Sequence, residues 1–109
     1  MGYSKRSQAR ELVLKALYAV EVGETDGPDV FVKIVEAAKP GESALKFARH
    51  LFEQVRQKRT WADQIISKLA HNWKLERIAI IDRIVLRMAM TELTAMPDTP
   101  VKVVLNEAI

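Results

Sequence analysis

The stretch LERIAIIDRIVLRMAMTELTA, residues 75–95, decides the fold. Leu75, Ile78, Ile81, Val85, Leu86, Met88, Ala89 and Leu93 recur there at helical spacing and cover much of the circumference. Only the arc carrying Arg83, Arg87 and Thr91 is left for solvent. A helix that is apolar on most sides needs other helices around it, so this segment predicts the fifth and central helix of a bundle.

The flanking sequence supplies the neighbours. Upstream, Thr60 followed three residues later by Asp63 has the form of a capping box with Asp in the Glu/Gln position, and it opens a fourth helix with Trp61, Ile65, Ile66 and Leu69 that ends near Asn72. Before it, Ser43 caps a third helix with Ala44, Phe47, Ala48, Leu51, Phe52 and Val55 on one side and Lys46, Arg49, Glu53 and Arg56 on the other. Asp29 caps a short second helix that buries Val30, Phe31, Ile34, Val35 and Ala38 and stops at Pro40-Gly41. The first helix, residues 7–22, sets Ala9, Leu12, Val13, Ala16, Leu17 and Val20 in one stripe and closes at Gly23. Downstream, Thr99 and Pro100 open a sixth helix with Val101, Val104, Leu105 and Ala108 facing inward. No segment alternates like a strand and none repeats. The expected fold is all-α: one domain over residues 1–109, with an N-terminal three-helix bundle and a second bundle around the fifth helix. The sixth helix is still in full apolar stride at Ile109, so the second bundle is expected to be incomplete in this sequence.

Composition narrows the class. With 49% hydrophobic and 28% charged residues over 109 positions, the chain can fill one core and is not disordered throughout. It has no cysteine, which excludes disulfides and thiolate metal sites. Lys5, Arg6, Arg10, Glu11 and Lys15 interrupt any signal-like apolar run, and no stretch reaches the ~20 apolar residues of a membrane span. A reducing, cytoplasmic compartment is expected, with no membrane association. Charge is blocked along the chain: residues 1–15 carry a net +3, residues 21–42 a net −4 and residues 46–59 a net +4. The first and third blocks can build a modest polyanion-binding patch.

Catalytic chemistry finds no footing. The four glycines stand at positions 2, 23, 27 and 41, so no phosphate-cradling loop can be drawn, and no serine lies in a nucleophile elbow. His50 and His71 read as structural residues, because a metal would need further ligands at helical spacing. The chain is therefore expected to bind and not to catalyse, without cofactor or metal. Arg6, Arg10, Leu14 and Tyr18 fall on one i, i+4 row, which places two guanidiniums near a phenol able to stack on an unpaired base. Such a row grips single-stranded RNA, or it is only a solvated cationic face. Asp82 and Glu92 lie on or beside the apolar arc of the fifth helix. Either Asp82 caps a helix that begins after a break near Ile80 and Glu92 bonds a neighbouring backbone, or the two acids, joined by Glu76, dock a basic protein.

Taken in order, Ser7-Gln8-Ala9-Arg10-Glu11, Ala16-Leu17-Tyr18, Trp73, Arg77-Ile78, Asp82-Arg83, the run from Val85 through Ala89, Glu92-Leu93 and the closing run from Pro100 to Ile109 resemble the NusB family of transcription antitermination factors. The resemblance implies two small helical bundles, binding of boxA RNA through the basic N-terminus, and a heterodimer with the ribosomal protein NusE that joins RNA polymerase in antitermination on ribosomal RNA operons. The family's RNA-contacting segment matches Lys5, Arg6 and Arg10, and its NusE-facing acidic positions match Glu76 and Asp82. Two departures stand out. Ser7 and Gln8 thin the basic segment, which makes RNA affinity dependent on the partner, and the family's further C-terminal helices are absent from the sequence. Two rivals share the pattern: a NusB-like domain joined to an RNA cytosine methyltransferase, which requires a catalytic domain downstream, and a self-associating helical protein, which requires no RNA preference. Monomer and homodimer both remain open.

Overall fold

The structure, a computed structural model, describes residues 2–23, 27–69 and 78–95. Among the described residues the secondary structure is helical: α1 Gly2–Val22, α2 Gly27–Ala38, α3 Glu42–Gln57, α4 Arg59–Leu69 and α5 Ile80–Ala95. The expected sixth helix and Asn72 lie outside them.

The helices form where the apolar period placed them, but their starts differ from the expected caps. α1 begins five residues earlier than expected, because Tyr3 to Ser7 contains neither glycine nor proline to stop it. Asp29 lies inside the first turn of α2, where its charge favours the helix dipole, and does not cap it. Leu45 N–H donates to the Gly41 carbonyl (2.9 Å), so α3 starts from Gly41 and not from Ser43. Thr60 does not cap α4 either. Lys58 is the only turn residue between α3 and α4; its N–H donates to Gln54 O and its carbonyl accepts from Ala62 N–H, both at 2.9 Å. Between α2 and α3, Lys39 takes a left-handed backbone (φ 49°) just before Pro40 and ends α2.

The chain divides into two compact units, Met1–Phe52 and Glu53–Ile109, with the boundary inside α3. In the first, α1 packs on α2. Its core holds Ala9, Leu12, Val13, Ala16 and Leu17 of α1, Val30 and Phe31 of α2, and Ala44, Ala48, Leu51 and Phe52 of α3. The rings of Phe31 and Phe52 stack at 4.8 Å. Ala9, Ala16 and Ala48 are wholly buried and Ala44 nearly so; only a methyl group separates these backbones from their neighbours.

In the second unit α4 packs on α5, and Val55, Ala62, Ile66, Ile84 and Met88 are buried. Here the face of α5 departs from expectation. Arg87 and Thr91, assigned to solvent, are 4% and 0% exposed, whereas Ile81, Leu86 and Leu93 stand 48%, 40% and 39% exposed. The cause is pairing: the Arg87 guanidinium donates a fork of hydrogen bonds to Asp63, Nε to Oδ1 at 2.7 Å and Nη2 to Oδ2 at 3.0 Å. Thr91 Oγ1 donates to the Arg87 carbonyl at 2.7 Å. Polar groups that satisfy each other in this way can occupy a helix's inner face. Asp63, expected to complete a capping box, is thus the acceptor that takes Arg87 inside.

Candidate nucleic-acid interface

The N-terminal half of α1 brings two cations, Arg6 and Arg10, against α3. Ala9 and Val13 lie fully buried and fix the helix by its apolar stripe, leaving Arg6 and Arg10 on an adjoining row. Both guanidiniums lie over one ring: Arg6 Cζ is 4.8 Å and Arg10 Cζ 5.6 Å from the centroid of Phe47. These are cation–π distances. Arg6 is half-buried, while Arg10 is only 5% exposed. Lys5 belongs to the same helix. Tyr18 sits two turns beyond Arg10, 41% exposed, with half-buried Leu14 between them. The structure therefore brings Arg6 and Arg10 together on Phe47 and leaves Tyr18 as a separate exposed ring on the same helix. Lys15, farther round α1, is offset by Glu11 at 3.9 Å.

On α5, Arg83 N–H donates to Ala79 O at 2.9 Å, so the helix starts there after the expected break, and Asp82 is an exposed acid in its first turn beside exposed Ile81. That position favours the positive end of the helix dipole without using Asp82 as the cap. Glu76 and His71 lie outside the described residues. Glu92 is buried at 2% exposure, and His50 is exposed. Among the described residues no three acids or histidines gather as a metal site would require, and no helix is long and apolar enough to cross a membrane.

Two aromatic contacts escaped the sequence. Phe47 was assigned only to the buried stripe of α3, and Lys58 Nζ lies 5.6 Å from the Trp61 ring. The Lys58–Trp61 contact was legible as an i, i+3 pair across the start of α4. The Phe47 contact joins residues some forty positions apart and had no local signal.

The NusB family model matches residues 7–109. The chain belongs to the NusB family. It is 42% identical to "Transcription antitermination protein NusB" of Salinibacter ruber, over 97% of this chain and 67% of that protein. It is 41% identical to the protein of the same name in Myxococcus xanthus, over 95% of this chain and 77% of that one. Among solved structures, NusB of T. maritima superposes with a TM-score of 0.85 at 29% identity, covering 94% of this chain and 72% of that chain. A chain from the "Crystal Structure of a Plectonemic RNA Supercoil" superposes with a TM-score of 0.88 at 23% identity, covering 99% of this chain and 78% of that one, and so shows a likeness of fold alone.

Proposed function

We propose that this chain is an RNA-binding transcription antitermination factor. It takes single-stranded boxA RNA on the N-terminal half of α1 together with the ribosomal protein NusE, and it acts in the cytoplasm within an RNA polymerase complex on ribosomal RNA operons. It works by binding and not by catalysis. The observation that carries the reading is the 42% identity, across nearly the whole chain, to a protein named for transcription antitermination. The placement of residues supports it. Half-buried Arg6 lies in the first two turns of α1, the helix to which Lys5 also belongs, and Tyr18 is exposed farther along, so a cation and a stacking ring stand on one helix. Exposed Asp82 supplies negative charge for a contact with a basic protein partner, and the sequence adds Glu76 as the second acid of that proposed contact.

The test is titration of a labelled boxA oligonucleotide with the chain, with and without NusE. Three or four neutralised phosphates give a log–log salt slope of about −2 to −3 on a single strand, and NusE should tighten the complex. Equal affinity for boxA and a scrambled RNA, in the presence of NusE, would defeat the reading.

A further inference from the structure

Phe47 stands at the edge of the buried face of α3, with Ala44, Ala48 and Leu51 buried on one side and Lys46, Arg49 and His50 exposed on the other. An edge position of that kind asks only for apolar bulk, which leucine supplies as well as phenylalanine. The ring offers something more, a negative face that attracts a guanidinium and orients its plane. Arg6 and Arg10 are like charges about 6 Å apart along α1, one turn of helix, and would repel. Both nevertheless converge on this ring, at 4.8 and 5.6 Å. Their exposures differ: Arg10 is closed off from solvent, whereas Arg6, at the outer end of the row, is half-open. A phosphate arriving from solvent meets Arg6 first.

We infer that Phe47 is a positioning residue for RNA binding: its ring holds the Arg6 guanidinium in the orientation that meets a phosphate, and Arg10, stacked on the same ring, braces it from the buried side. The inference rests on the RNA-binding reading above and assigns it a residue outside α1. Holding Arg6 in place beforehand spares the ordering entropy of a long side chain at the moment of binding. The ring therefore changes affinity without changing the number of phosphates contacted.

The experiment has two arms. In the unmutated chain, ring current from Phe47 should move the δ-methylene and Nε–H resonances of Arg6 and Arg10 upfield of those of exposed Arg49; unshifted Arg6 resonances overturn the inference without any substitution. In the second arm, Phe47→Leu and Phe47→Trp are titrated with the same boxA oligonucleotide, with thermal melts alongside. Phe47→Leu should bind about three- to tenfold more weakly at fixed salt, as expected for losing a partly desolvated cation–π contact. Its salt slope should match the unmutated chain, and Phe47→Trp should restore the affinity. Unchanged RNA affinity in Phe47→Leu, failure of tryptophan to restore it, or a Phe47→Leu chain that does not fold would each show that the ring acts as core packing and defeat the inference. An unmutated chain with no preference for boxA defeats the functional reading itself, an outcome distinct from a loss confined to Phe47→Leu.

Discussion

In residues 1–52 a buried arginine, Arg10, lies over a phenyl ring; in residues 53–109 another, Arg87, is gripped by the carboxylate of Asp63. The two side chains are almost equally hidden, at 5% and 4% exposure, but they are held by different chemistry. A carboxylate cancels the guanidinium's charge and fixes its plane through two parallel hydrogen bonds. A ring attracts the guanidinium without contributing a counter-charge, and its hold is weaker and more tolerant of direction. The Asp63 fork therefore makes a directional joint between α4 and α5, whereas the Phe47 ring gives the α1 arginines a flatter, less directional seat on α3. Burial of an arginine says little about its role until its partner is known.

The largest effect should come from breaking the fork on its acidic side. Asp63→Ala removes the fork that holds the buried Arg87 charge in the second unit and should cost about 2 to 4 kcal/mol, somewhat below the usual range for a fully buried pair because Asp63 keeps 20% of its side chain exposed. Urea denaturation reads this directly. Arg87→Met removes the charge along with the fork and should cost less than Asp63→Ala; the reverse order would mean that the fork is not what compensates Arg87.

Next come the two arginines of α1, which should separate stability from RNA binding. Arg10→Ala should destabilise by about 1 to 2 kcal/mol through lost packing and the desolvated ring contact. Arg6→Ala should change stability by less than about 0.5 kcal/mol and reduce the RNA salt slope by about 0.7, the share of one phosphate. If the two substitutions shift melting temperature and slope equally, the contrast between brace and reader fails.

A smaller effect is expected at the start of α5. Asp82→Lys reverses a favourable dipole interaction and should cost about 0.3 to 1 kcal/mol in stability. It should weaken NusE binding while RNA titrations of the chain alone stay as they were; undiminished NusE affinity would leave Asp82 with the dipole role alone. Lys39→Gly should act in the opposite direction, stabilising by about 0.5 to 1 kcal/mol, because glycine accepts the left-handed backbone at this position without the Cβ penalty. A lowered melting temperature would show that the Lys39 side chain contributes more than its backbone costs.

What could be read in advance followed the range of the physics. Each described helix was legible because apolar period is a local property, visible within two turns of chain. The caps were less legible: Ser43 and Thr60 have the right side chains, yet backbone carbonyls at Gly41 and Lys58 begin α3 and α4. The inner face of α5 was misread for a long-range reason. Arg87 counts as a solvent residue in any hydropathy pattern, and its fork with Asp63, twenty-four positions away, is a pairing no local pattern reveals. The same applies to the candidate interface. The row of Arg6, Arg10 and Tyr18 came from spacing along one helix, but Phe47 enters only when α1 and α3 are brought together in space.

The alanines of the first unit limit how this sequence can drift. Ala9, Ala16 and Ala48 have no exposed surface and Ala44 has little, so a larger side chain at any of them must displace a neighbouring element, at about 1 to 3 kcal/mol for each overpacked site. Against a domain stability of about 5 to 15 kcal/mol, two such replacements together approach the limit for folding. Substitutions of the exposed cations on α1 and α3 leave this packing untouched, while these four positions admit little beyond glycine, alanine or serine. The helix spacing beneath Phe47 and the α1 arginines is thus held by residues with almost no latitude in size.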